Sequence, residues 1–360
     1  MTFPPVTHTE AVSGNSQPRQ TIREKLQQFP PVYFAMVMAT GIVSVAAHLQ
    51  GMAKIAAGLM WLNATLYVVF WLLLLARVMT GPKALLQELT DFKLAPSFFT
   101  IVAGTGVLGR EFLIIRLESP IAAAMLWIAF PLWALFIYVV FTAFTVKEDK
   151  PSLADGIHGG WLVAVVATQS VSILVALLAR RSPNHEGMLF GALVLWLCGG
   201  MLYIWIISLI FYRYTFFKFP PSDLMPPYWI NMGAMAISTL AGATLIQNAT
   251  LAPFLEPIMP FLKGFTVFFW ATATWWIPML VILGFWRHVS RRFPLKYDPL
   301  YWGLVFPLGM YSVCTHQLLQ VLHLPFLQWL PFAFACIAIA AWLTTFIGFL
   351  KQLPRISWNT

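Results

Sequence analysis

The sequence predicts an all-α membrane protein of ten transmembrane helices, paired as five hairpins around a common axis. Three observations predict it. The chain is 59% hydrophobic and 10% charged, with a mean hydropathy of +0.76, outside the range of water-soluble domains. Apolar runs of about 20 residues, enough to cross a hydrocarbon core of about 30 Å at about 1.5 Å per residue, recur along its whole length. A Pro or Gly followed closely by an aromatic residue returns at near-constant spacing. Lipid offers no partner to an open backbone, so runs of this length must be helical.

The elements follow in order. Residues 1–28 are polar and rich in Pro and Gln, with no apolar core or small-residue cleavage pattern, and are expected to be a cytoplasmic tail. A short amphipathic run from Thr21 to Phe29, carrying Arg23 and Lys25, suits the membrane surface. Charge-free apolar runs then give spans at 30–48, 55–76, 95–115, 119–146, 159–179, 188–212, 226–249, 264–286, 299–320 and 325–350. Together they make a transmembrane domain over 29–350, leaving 351–360 as a C-terminal tail. An even number of spans puts both termini on one side. Sixteen of the 22 Lys and Arg residues fall there, including Arg77, Lys93, Lys147, Arg213, Arg287, Arg291, Arg292 and Lys296. Basic loops stay inside, so both termini are expected in the cytoplasm and the protein in the cell (inner) membrane. The same bias accounts for the net charge of +9 without a nucleic-acid partner.

The marker pattern divides the chain. Pro31 leads to Tyr33, Pro96 to Phe98, Gly159 to Trp161, Pro227 to Tyr228 and Trp229, and Pro299 to Tyr301 and Trp302, with 65, 63, 68 and 72 residues between successive markers. A period of this kind marks repeated units, here five helical hairpins. Membrane-inlet chemistry explains the residue types themselves: proline suits a first helical turn, and aromatics suit the headgroup level. The spacing carries the repeat.

Nine or ten residues past the markers, small and hydroxyl side chains recur on the odd spans: Thr40 and Gly41, Thr105 and Gly106, Thr168 and Gln169, then Ser238 and Thr239, and Gly309 and Ser312. Even spans are dominated by Leu, Trp, Phe, Ile and Val. Odd helices are therefore expected inside, lining an axis, and even helices outside against lipid; the competing reading is that small residues mark tight helix packing. Seven residues past each marker stand Met38, Ala103, Val166, Ala234 and Phe306, one aromatic among smaller groups. Phe306 could stopper the bore, and Pro307 would bend its helix by removing the hydrogen bond to the Gly303 carbonyl. Ordinary packing is the alternative for both.

No odd span carries a charge at its middle; the nearest exceptions are Arg110 and Glu111 toward the outer end of the third, facing either a vestibule or the interface. His48 and His316 near outer helix ends could titrate or merely anchor. Cys198, Cys314 and Cys336 are scattered through apolar stretches, so neither a disulfide nor a metal site is expected, and no cofactor. There is no His-Glu-x-x-His, no intramembrane carboxylate pair and no cysteine cluster, so an enzyme is not expected.

The segment Phe29, Pro30, Tyr33, Phe34 to Thr40, Gly41, Ile42, Val43, with Tyr301, Trp302, Gly303 to Phe306, Pro307, Leu308, Gly309, resembles the tellurite-resistance/dicarboxylate transporter family. That family takes in bacterial tellurite-resistance proteins, fungal malate and sulfite carriers and plant slow anion channels. The resemblance implies five hairpins in quasi-five-fold array around a central pore, a homotrimer with one pore per protomer, and small anions as solute: chloride, nitrate, sulfite or a C4-dicarboxylate. It also places the family's pore-occluding phenylalanine at Phe306. A proton-coupled malate carrier or sulfite exporter, with His48, His316 or Glu111 titrating, is the alternative. Arg110 and Glu111 match no motif of the family.

Overall fold

The computed structural model describes Leu26, Gln27 and residues 29–357, with side chains to residue 352. Among these the chain is helical, with no strand. Ten long helices follow one another: α1 (Phe34–Leu49), α2 (Ala53–Thr80), α3 (Phe99–Ile115), α4 (Ser119–Val146), α5 (Val163–Ala179), α6 (His185–Phe216), α7 (Ile230–Gln247), α8 (Met259–Phe285), α9 (Trp302–Leu322) and α10 (Trp329–Ser357). Nine stretches among the described residues are long and apolar enough to cross a membrane; α9, which carries Tyr311, Ser312, Thr315, His316, Gln317 and Gln320, is not one of them. Most of the surface run expected from Thr21 lies outside the described residues. Helix α10 continues to Ser357, past residue 351, where the C-terminal tail was expected to begin.

Each marker becomes a 3₁₀ turn feeding an odd helix: Pro31–Tyr33, Ala95–Phe98, Gly159–Leu162, Pro226–Trp229 and Pro299–Tyr301. Proline's fixed φ and missing N–H fit a first turn, where the donor would have no helical partner. The third unit uses glycine because a Cβ at Gly159 would lie 2.5 Å from the Pro227 carbonyl oxygen of the next turn. The five turns touch one another in sequence, and the last touches the first.

The odd helices make the same closed circuit: α1 packs on α3, α3 on α5, α5 on α7, α7 on α9, and α9 back on α1. Each also packs on the even helix that follows it. The best-matching windows of the first four odd spans are 78–94% buried, those of the five even spans 17–50%. Even helices accordingly show large apolar side chains such as Trp61, Leu72, Trp127, Trp205, Phe268 and Phe332 to the exterior. In water such a surface would drive aggregation; against lipid it is the required finish.

Polar groups join the two layers. Trp342 Nε1 donates to Thr40 at 3.0 Å, Trp133 Nε1 to Thr168 at 2.8 Å, and Trp270 Nε1 to Thr315 at 3.0 Å. Tyr67 shares a 3.0 Å hydrogen bond with Thr105, and Trp196 Nε1 donates to the Ser238 carbonyl at 2.9 Å. Thr105, Thr168 and Ser238 in turn donate to carbonyls one helical turn back. An indole N–H inside a bilayer has no water to satisfy it, so an inner-helix oxygen takes that place.

Candidate functional site

Two cavities lie along the ring of odd helices, and all five contribute to each. The first, of about 70 Å³, sits at their N-terminal ends. Ala35 and Met38 of α1, Thr100 of α3, Val163 of α5, Ile230 of α7 and Phe306 of α9 face it, with Lys93 and His158 at its rim. The second, of about 10 Å³, lies further along the same helices, walled by Ile42, Val107, Ser170, Ile237 and Met310 and by Arg110. In every helix lining residues of the two cavities are related by four or seven positions, the spacing of one helical face.

Phe306 lines the first cavity at the end nearer the second. It is 1% exposed, and the next residue on its face, Met310, belongs to the second cavity. Ala103, Val166 and Ala234 are fully buried and line neither cavity. Each falls in register between lining residues of its own helix: Thr100 and Val107, Val163 and Ser170, Ile230 and Ile237. The level counted seven residues past each marker thus lies between the linings of the two cavities, with Phe306 its bulkiest group. Pro307 is buried against α7, where a Cβ on Gly233 would lie 2.7 Å from its Cγ. Its missing N–H leaves the Gly303 carbonyl without a helical donor, and Gly303 lines the first cavity.

The hydroxyl residues expected along the bore behave differently. Thr40, Thr105, Thr168, Ser238 and Ser312 line neither cavity. The first four bind the outer helices or their own carbonyls as described above, and Ser312 donates to the Pro331 carbonyl at 2.6 Å. Of these hydroxyls, those of Thr40, Thr105 and Thr168 meet aromatic N–H or O–H groups of the even helices. Gly106 does line the second cavity, and its missing side chain leaves room for Ser170, whose Oγ would lie 2.7 Å from a Cβ. Gly309 admits Ile42 and Val43 of α1. Gly41 makes room for Asn63 and Glu111, 2.6 and 3.1 Å from where its Cβ would be.

Arg110 and Glu111, adjacent in sequence, part company. Successive helical residues point about 100° apart. Arg110 turns to the second cavity, 6% exposed, with no partner for Nε or Nη1. Glu111, fully buried, turns toward α1 and α2 and accepts from Asn63 Nδ2 at 2.7 Å, its other oxygen unpartnered. No salt bridge joins the two. His316 sits 3.5 Å from Gln50, away from both cavities.

The basic cluster before α9 is largely occupied. Arg287 donates to the Leu224 carbonyl and stacks on Phe293, and Arg291 lies over Trp286. Lys93 and His158, which sequence reading did not single out as site residues, are the titratable groups at the first cavity. His158 lies one residue and Lys93 two residues before a marker turn, and that position was the available signal. His158 Nδ1 accepts from the Gly160 N–H and its Nε2 meets the Lys93 carbonyl; burial, reinforced by the Arg213 and Lys93 charges and only partly offset by that carbonyl, pushes its imidazole down to about 4. It is neutral at neutral pH.

The site is thus two mostly apolar cavities to which the same five helices contribute, with a buried aromatic ring lining the first. The model of the voltage-dependent anion channel family matches residues 28–350. An uncharacterized membrane protein of Mycobacterium tuberculosis is 40% identical over 152 residues, 42% of this chain and 77% of the relative. Two uncharacterized transporters of Methanocaldococcus jannaschii are 25% and 24% identical over 338 and 332 residues, covering 91% and 89% of this chain and 96% and 92% of their own lengths. With the match running from before the first marker turn to the last helix, the chain belongs to the voltage-dependent anion channel family, the tellurite-resistance/dicarboxylate transporter family that its first and ninth spans resemble.

Proposed function

We propose that the protein conducts small anions across the cell membrane along the axis of the odd helices, with Phe306 as gate. The observation that carries the reading is the position of this ring, buried at the boundary of two cavities to which the same five helices contribute. The family membership and the full-length relatives named as transporters support transport of anions in general. In this reading all ten helices span the bilayer as five hairpins in quasi-five-fold array, α9 tolerating its polar residues because it is enclosed by protein. The N-terminal ends of the odd helices face the cytoplasm with both termini, so Lys93 sits at the inner mouth and draws anions toward it. A homotrimer with one pathway per protomer, in the inner membrane, is the assembly that the resemblance supports. We assign no enzymatic role.

A second reading, a proton-coupled C4-dicarboxylate carrier or sulfite exporter, draws on Glu111, a buried carboxylate group with one oxygen unpartnered. It is turned away from the cavities, which favours a passive pathway. Reversal potentials of the reconstituted protein separate the two. A potential that follows the anion gradient alone supports the channel; one that shifts with a proton gradient at fixed anion replaces it with the carrier.

A further inference from the structure

Three arginines are buried, and two of them are paired. Arg77 meets Glu88 at 2.6 Å and Arg213 meets Asp223 at 2.8 Å. Arg110 meets no carboxylate among the described residues, and two of its three guanidinium nitrogens have no partner. The neighbouring carboxylate is committed to Asn63. A buried cation without compensation is strongly unfavourable, and the remedies available are a counter-ion or water. Arg110 lines the outer cavity, on the axis beyond Phe306.

We infer that Arg110 is a binding site for one small inorganic monoanion, held in the outer cavity. The inference rests on the pathway proposed above and adds to it a site and a solute class. The cavity, about 10 Å³, has room for about one water-sized occupant. A C4-dicarboxylate carries two separated charges, and no second cation lines this cavity. Ile42, Val107, Ile237 and Leu240 make the walls apolar, and the Ser170 hydroxyl donates to the Ala167 carbonyl, so Arg110 is the donor left for the solute. Apolar walls favour weakly hydrated ions. A guanidinium offers a planar fork, which matches a planar oxyanion such as nitrate at two points and a halide at one. Nitrate is accordingly the preferred occupant over chloride, and malate is excluded.

The full-length protein in detergent is titrated with sodium nitrate, chloride or malate against gluconate at fixed ionic strength, and its melting midpoint is followed. Nitrate raises the midpoint most, chloride less, and malate no more than gluconate. Arg110→Gln raises the half-saturating nitrate concentration by about tenfold or more, since a charge-assisted hydrogen bond is lost. Without nitrate it melts no lower than the parent, because it removes an uncompensated charge. Arg110→Lys keeps the response to chloride and loses the preference for nitrate. Nitrate stabilisation that survives in Arg110→Gln, or malate stabilising as well as nitrate, overturns the inference. Flux separates it from the gate: if Phe306→Ala conducts and adding Arg110→Gln leaves the nitrate-to-chloride permeability ratio and saturation unchanged, the site is refuted and the gate stands. If Phe306→Ala does not conduct while nitrate still stabilises through Arg110, the gate is refuted and the site stands.

Discussion

Truncating Phe306 to alanine separates a gate from a packing residue. The ring is 1% exposed, and a buried aromatic removes about 150–250 Å² from solvent. To clear the axis it must expose about half of that, roughly 100 Å², at about 25 cal/mol per Å², or about 2–3 kcal/mol. Removing that cost multiplies the conducting fraction by about 30 to 150. The stability penalty stays below the ~3–5 kcal/mol typical of Phe→Ala in a closed core, because the ring already borders a cavity of about 70 Å³. Chloride or nitrate efflux from liposomes containing the full-length protein measures the first effect, and thermal melting of the same preparation the second. Phe306→Leu, which leaves a smaller stopper, is expected to fall between alanine and the parent. Flux equal to the parent in a variant that melts normally would refute the gating argument and return Phe306 to ordinary packing.

Four further outcomes follow from the geometry. Gly41→Ala puts a Cβ 2.6 Å from Asn63 and 2.8 Å from Val107; Asn63 is tied to a buried carboxylate and cannot yield cheaply, so melting should report a loss of about 1–3 kcal/mol, and an unchanged midpoint would count against the described packing. Thr40→Val strands the indole N–H of Trp342, at about 1–3 kcal/mol; in a double-mutant cycle Trp342→Phe should then cost less on the Thr40→Val background than on the parent, and strict additivity would deny the bond. Arg77→Gln breaks the pair with Glu88 and the contact to the Phe29 carbonyl; Glu88 is partly exposed, so the expected loss is about 1–3 kcal/mol, again read by melting. His158 is held near 4 while an unfolded imidazole titrates near 6.5. Between those values the unfolded chain binds the proton and the folded one does not, so stability falls on acidification from about pH 6.5 to 4, by at most about 3 kcal/mol and less for a half-buried ring. His158→Gln should flatten that part of the melting profile; an unaltered profile would show that other groups set it.

The helices and their pairing were legible because membrane crossing leaves few choices: an apolar run of fixed length must be helical, and a repeated Pro–aromatic turn tells where each inner helix starts. The spans at 119–146 and 159–179 coincide with the helical stretches Ser119–Val146 and Gly159–Ala179. The direction of a side chain around its helix was harder to read. Thr40, Thr105 and Thr168 recur at one register, and periodicity alone cannot say whether that register faces an axis or the outer layer. Their partners Trp342, Tyr67 and Trp133 lie 302, 38 and 35 residues away, distances over which a sequence pattern carries no signal. Arg110 and Glu111 read as one charged pair until the helix turned them onto different faces. Lys93 counted only as one basic loop residue and His158 not at all, because loop residues are polar everywhere; the folded ring brings these two to one cavity.

The stopper ascribed to Phe306 is electrically neutral, and this has a consequence for how the pathway could respond to membrane potential. Moving one elementary charge through 100 mV does about 2.3 kcal/mol of work, whereas swinging a phenyl group through the same field does almost none. The ring is therefore blind to voltage. A steep current–voltage relation would then originate in charges other than the ring, and where those are ions in the proposed pathway, rectification should change with the identity of the permeant species.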